Sequence, residues 1–238
     1  MIEIRDLSVS FGGVRALDHL SATLVDPVVG IIGPNGAGKT TLLNVFSGFV
    51  VPQSGSLSAF GTDLLALPPY RRTRWGLRRS FQTEQVVDDL SVADNVRVML
   101  DPHPLARAEK ESQIAKALEF VHLADRRDAL GASLNAFERR MVELAKTLVG
   151  ASRVVLLDEP GAGMRQHEVA VLREVILGIH DRFGAQTLLI DHDVELIAAT
   201  CTSTLVLDFG ELIALGPTAE VLKDGRVMAA YLGDEEVS

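Results

Sequence analysis

Apolar residues alternate with polar ones from the start of the chain, though imperfectly: Ile2, Ile4, Leu7 and Val9, then, beyond Phe11-Gly12-Gly13, Leu17, Leu20, Ala22 and Leu24. A period near two belongs to strands with one covered face, so residues 2–25 are predicted as strands turning at the glycine pair. The pattern then changes to short apolar runs at 28–32, 154–157 and 188–190, the mark of strands buried on both faces, and Leu77 to Phe81 is read as a further buried strand. From about Thr83 to Thr147 the strand signal disappears. Ser91 is predicted to cap a short helix carrying Val92, Val96 and Met99, which Pro102 and Pro104 break. Ile114, Ala117, Leu118 and Val121 recur at helical spacing within 106–123. Asn135 is predicted to begin another helix through Met141, Leu144, Ala145 and Leu148. A helix over roughly 167–183, a hairpin around Phe209-Gly210 and two short helices complete the reading. Strands alternating with helices predict an α/β fold with a helical insertion at about 83–147, in one domain spanning the chain.

The strand at 28–32 runs into Gly33-Pro34-Asn35-Gly36-Ala37-Gly38-Lys39-Thr40, and Thr41 opens a helix. The form G-x-x-x-x-G-K-[ST] between a strand and a helix is a P-loop. Its glycines let backbone N–H groups turn inward, and the helix N-terminus adds the positive end of its dipole. Such a cradle suits the β- and γ-phosphates of ATP, with Lys39 on their oxygens and the Thr40 hydroxyl on Mg²⁺.

Composition narrows the picture. The chain has 238 residues, with 47% hydrophobic and 23% charged, ordinary for a globular protein. A formal net charge of −9 argues against nucleic acid as a partner. Arg71, Arg72, Arg74, Arg78 and Arg79 are a basic exception, read as a solvated face or a partner surface. The single cysteine, Cys201, excludes a disulfide framework and fits a reducing compartment. No apolar run approaches the roughly 20 residues that span a bilayer, and residues 1–6 lack a signal-peptide core. The expectation is a soluble protein whose membrane role, if it has one, comes through a partner.

Asp158 and Glu159 end an apolar run downstream of the P-loop. The first acid can hold the Mg²⁺ shell, and the second can polarise an attacking water. Gln82 and His192 also close strand-like runs, where each can reach the γ-phosphate or its water. Phe11, at a strand end before two glycines, can stack on a purine or pack in the core.

The order P-loop, Gln82, helical insertion, Asp158-Glu159 and His192 resembles the nucleotide-binding subunits of ABC transporters over essentially the whole chain. The resemblance implies a P-loop NTPase core with a mixed sheet, an N-terminal antiparallel β subdomain and a helical subdomain. It implies that ATP is bound by Phe11 and by Gly33 through Thr41, and that Thr40, Gln82 and Asp158 serve Mg²⁺. Glu159 takes the place of the catalytic glutamate, His192 that of the switch histidine, and Gln82 that of the residue coupling nucleotide to the membrane subunits. The implied partners are transmembrane permease subunits, a second ATPase subunit and, indirectly, a substrate-binding protein. The implied location is the cytoplasmic face of the cell membrane. Arg78-Arg79-Ser80-Phe81-Gln82 and Ala229-Ala230-Tyr231-Leu232-Gly233 are similar to ATPases importing branched-chain or other hydrophobic amino acids, or urea.

Two segments depart from the family. Its signature Leu-Ser-Gly-Gly-Gln aligns with Leu134-Asn135-Ala136-Phe137-Glu138, and Arg165 stands where Asp or Asn is usual. Ala136 and Phe137 replace glycines that approach the γ-phosphate, and Glu138 adds an anion there. Because the family dimerises head to tail, these changes fall on the partner's P-loop. A heterodimer with one active and one degenerate site is therefore expected, the alternative being a nucleotide-dependent switch subunit with little ATPase activity of its own.

Overall fold

The computed structural model describes residues 1–81 and 85–232 and divides them into two compact units. The first comprises residues 1–72 and those from Leu188 onward, and the second Thr73–Thr187.

The first unit opens with β1 (Ile2–Phe11) and β2 (Val14–Leu24), an antiparallel pair. The imperfect alternation of the sequence has a structural cause. Between the pairs Ile4↔Ala22 and Leu7↔Leu20 an extra residue bulges from β1, and between Leu7↔Leu20 and Val9↔Leu17 one bulges from β2. Asp6 and His19 take the two bulge positions in left-handed backbone, each with φ 50°, and share a 2.6 Å hydrogen bond. That bond and the aspartate charge raise the His19 pKa. The bulges keep Leu7, Val9, Leu17 and Leu20 on the buried face despite their spacing in sequence.

Next come β3 (Val28–Ile32), α1 (Lys39–Ser47), β4 (Ser54–Ala59), β5 (Thr62–Asp63) and α2 (Pro69–Trp75). β4 pairs with β1 and β5 with β4, so the N-terminal sheet runs β2-β1-β4-β5 and is antiparallel throughout. α2 was not foreseen: four of its seven residues are Arg71, Arg72, Arg74 and Pro69, which gives no apolar period. Proline at the first helical position is favourable because that N–H has no helical partner.

The second unit holds β6 (Leu77–Arg79), α3 (Val92–Arg97), α4 (Arg107–Phe120), α5 (Ala136–Leu148), β7 (Val154–Asp158) and α6 (Gln166–Phe183). β6 and β7 pair in parallel. The expected caps are present: Ser91 accepts from the Asp94 N–H, and Asn135 from the Glu138 N–H. From Val92 to Leu148 every described element is helical.

The chain returns to the first unit through β8 (Gln186–Ile190), followed by α7 (Val194–Thr200), β9 (Ser203–Asp208), β10 (Glu211–Pro217), α8 (Thr218–Val221) and α9 (Gly225–Leu232). β3 lies between β9 and β8, parallel to β9, while β10 joins β9 antiparallel, so the pairing is mixed as expected. α7 was also unforeseen, although Asp193 caps it by accepting from the N–H groups of Glu195 and Leu196.

The arginine cluster is not a single solvated face. Arg72 is buried and donates to the carbonyls of Val45, Phe46 (2.8 Å) and Leu67 (2.7 Å), closing the C-terminal end of α1. Arg78 is buried and donates to Val149 (3.2 Å), Gly150 (3.3 Å) and Thr73, closing α5 in the same way. Each guanidinium donates to carbonyls at or just beyond a helix end, next to the negative end of its dipole. Burial pulls the Arg78 pKa down to about 10, which leaves it charged at neutral pH.

Candidate functional site

The loop 33–38 departs from β3 with backbone that only glycine accepts at two points. Gly33 has φ 153°, and a Cβ there would lie 2.1 Å from the Leu207 carbonyl oxygen. Gly38 has φ 103°, and its Cβ would lie 2.3 Å from the Ala16 oxygen. These clashes fix the glycines of the motif by close backbone approach. The hairpin tip of β9 and β10 supports the loop: the Gly210 N–H donates to Ala37 O (3.1 Å) and Gly210 O accepts from the Asp18 N–H (2.9 Å).

Lys39 is buried, and its ammonium donates to the carbonyls of Gly33 (2.5 Å) and Pro34 (2.9 Å), so the charge lies across the loop. Thr40 is exposed on the first turn of α1. α1 has no side-chain cap and no acidic residue in its first turn. Its N-terminal N–H groups, capped by no side chain, therefore offer the positive end of a helix dipole beside the Lys39 ammonium. In the same unit, Phe11 ends β1 with 54% of its surface exposed, so its ring is not core. His192 is exposed in the link from β8 to α7, between buried Asp191 and the cap Asp193. Asp191 fixes the link by accepting from the Asp193 N–H at 3.0 Å.

In the second unit, Asp158 ends β7, and its carboxylate pairs with Arg79 at 2.9 Å. Reading Arg79 as part of a solvated face or a partner surface does not anticipate this contact. Glu159 follows in left-handed backbone, φ 49°, a conformation unusual for a non-glycine residue. The strand conformation of β7 therefore stops at Asp158. Gln82 lies outside the described residues.

The segment aligned with the signature starts α5 as a closed capping box. Asn135 Oδ1 accepts from the Glu138 N–H at 2.8 Å, and Glu138 Oε2 accepts from the Asn135 N–H at 2.9 Å. Glu138 Oε1 also pairs with Arg126 at 3.0 Å. The Glu138 charge is thus compensated within the chain. α6 begins alike, with Glu168 accepting from the Arg165 N–H at 2.8 Å. A cavity of about 340 Å³ separates the two helix starts, lined by Asn135, Phe137, Arg140, Met164 and Arg165 among others.

A P-loop with these neighbours narrows the family, and the sequence profile described as ABC transporter matches residues 18–162. The chain belongs to the ABC transporter family. It is 37% identical over 208 residues to the lipopolysaccharide export system ATP-binding protein LptB of Acidithiobacillus ferridurans, covering 87% of this chain and 86% of that protein. It is 28% identical over 250 residues to the high-affinity branched-chain amino acid transport ATP-binding protein BraF of Pseudomonas aeruginosa, covering 98% of each. The ADP conformation of MJ1267, an ATP-binding cassette of an ABC transporter, superposes with a TM-score of 0.86 at 25% identity over 98% of both chains. This ABC protein is accordingly an ATP-binding ATPase subunit. Among its described residues no helix is long and apolar enough to cross a membrane.

Proposed function

We propose that this chain is the ATP-hydrolysing subunit of an importer for branched-chain or other hydrophobic amino acids, or urea, paired with a second, different ATPase chain. It acts at the cytoplasmic face of the membrane, beneath permease subunits fed by a substrate-binding protein. Its 238 residues form one ATPase domain, with about 83–147 as a helical subdomain. Phe11 stacks on adenine. The loop Gly33, Pro34, Asn35, Gly36, Ala37 and Gly38, with Lys39, Thr40 and Thr41, holds the phosphates. Glu159 orients and deprotonates the attacking water, His192 contacts the γ-phosphate, and Gln82 links that site to the permease. Phosphoryl transfer demands positioning and charge stabilisation more than covalent work, so rigid placement of these groups is their contribution.

Thr40, Asp158 and Gln82 would hold Mg²⁺, which supplies charge neutralisation on the phosphate oxygens. The donor chemistry fits, since Mg²⁺ prefers few protein oxygens together with phosphates and water. Thr40 offers an exposed hydroxyl, Asp158 a carboxylate, and the described residues contain no denser acid or histidine cluster.

The observation that carries the pairing with a different chain is the closed start of α5. Asn135 and Glu138 satisfy each other there, and Phe137 stands where a glycine would let a phosphate approach. A homodimer would repeat that closed end at both sites, whereas a partner with an ordinary signature would complete the site on this chain's P-loop. The importer assignment rests on the residues around Arg78–Phe81 and on BraF. Export of lipopolysaccharide is the second reading, favoured by the higher identity to LptB. Co-purification from native membranes followed by transport assays separates them. Stimulation of ATPase activity by a liganded binding protein supports import, and stimulation by lipopolysaccharide replaces it with export.

A further inference from the structure

Asp158 is not presented to a metal as a bare carboxylate. Its Oδ2 accepts from Arg79 Nη2 at 2.9 Å, and the two side chains are only 5% and 8% exposed, so the pair is buried. The ends of β6 and β7 are locked beside it. The Ser80 N–H donates to Leu156 O at 2.9 Å, and the Asp158 N–H donates to the Ser80 hydroxyl at 3.3 Å. The guanidinium also lies 5.1 Å from the ring centre of Phe81, which precedes Gln82. One cation therefore touches both the acid ending β7 and the residue that leads to Gln82.

A carboxylate already neutralised by a buried guanidinium attracts a dication weakly, because the arginine repels it over the same short distance. A metal that arrives with a triphosphate brings several negative charges, which reverse that balance. We propose that Arg79 is a positioning residue that makes divalent-metal binding at Asp158 conditional on nucleotide. It holds Asp158 against metal alone and releases Oδ2 when phosphate oxygens accompany the metal. The inference rests on the reading of Asp158 as a metal-holding acid.

The test is Mn²⁺ titration of the purified chain at pH 8, with free Mn²⁺ counted by electron paramagnetic resonance and folding checked by circular dichroism. Without nucleotide, the wild type and the charge-preserving Arg79→Lys are expected to leave Mn²⁺ free over the range in which Mn²⁺ with ATP saturates the protein. Arg79→Met is expected to bind Mn²⁺ without nucleotide at least tenfold tighter than wild type, and Arg79→Met/Asp158→Asn to lose that binding. Arg79→Gln carries the same expectation if Arg79→Met does not fold. Exclusion of Mn²⁺ by the neutral variants overturns the proposal, as does binding that survives Asp158→Asn. Failure of both neutral variants to fold assigns the pair a purely structural role and also overturns it. Mn²⁺·ATP binding distinguishes the two levels. If Asp158→Asn leaves it unchanged, the metal role of Asp158 fails; if Asp158→Asn weakens it while Arg79→Met stays inert, only the role of Arg79 fails.

Discussion

The N-termini of α1 and α5 face the same physical problem and solve it oppositely. Each leaves backbone N–H groups without helical partners and carries the positive end of a dipole. At α1 the preceding residue is Gly38 in left-handed backbone, no side chain caps the helix, and the first turn has no acid. At α5, Asn135 and Glu138 cap each other and Arg126 compensates the glutamate. An open end with a lysine beside it is built for an anion from outside. A closed end has its anion already, covalently attached. A buried arginine, Arg72 or Arg78, donates to carbonyls at the far end of each helix, so the contrast that matters lies at their starts.

The largest effects are expected at the open end. Lys39→Ala should weaken ATP binding by about 10²-fold, or about 2.7 kcal/mol, because the charge donated to phosphate oxygens is lost. Fluorescent-nucleotide titration checks this, and unchanged affinity would remove the functional meaning of an uncapped α1. Glu159→Gln should leave that affinity intact and lower turnover of the assembled complex by at least ~10²-fold, the scale of a missing general base. Turnover near wild type would exclude Glu159 from the chemistry.

Smaller effects probe the frame. Arg72→Met strips three carbonyl bonds from the region behind the P-loop. At about 1 kcal/mol each, the loss is roughly 3 kcal/mol and lowers Tm by roughly 10 °C. Calorimetry showing no change would mean that water satisfies those carbonyls equally well. Asn135→Ala removes one half of the capping box and should cost about 1 kcal/mol, or about 2–4 °C, without altering ATP affinity. A change in affinity instead would tie α5 to this chain's own nucleotide.

The contrast also shows what a sequence discloses. The P-loop was legible because its spacing is a local sequence pattern, although the backbone that excludes a Cβ at Gly33 and Gly38 belongs to Leu207 and Ala16, distant in the chain. Asn135 was legible as a cap for the same reason. Arg72 and Arg78 were misread because their partners lie 26 and 71 residues away, at carbonyls that no side-chain pattern announces. The pairing of Arg79 with Asp158 spans 79 residues and depends on the parallel register of β6 and β7. The bulges at Asp6 and His19 left a trace, the irregular spacing of Leu7 and Leu20, whose cause needed the paired strands.

The central claim is that the closed start of α5 keeps two copies of this chain from sandwiching ATP. The most direct measurement is sedimentation velocity of the Glu159→Gln chain with saturating ATP and Mg²⁺, compared with the same chain carrying Asn135→Ser, Ala136→Gly, Phe137→Gly and Glu138→Gln. The expected result is a monomer for the first and an ATP-dependent dimer for the second. A tight ATP-bound homodimer of the unrestored chain would contradict the account.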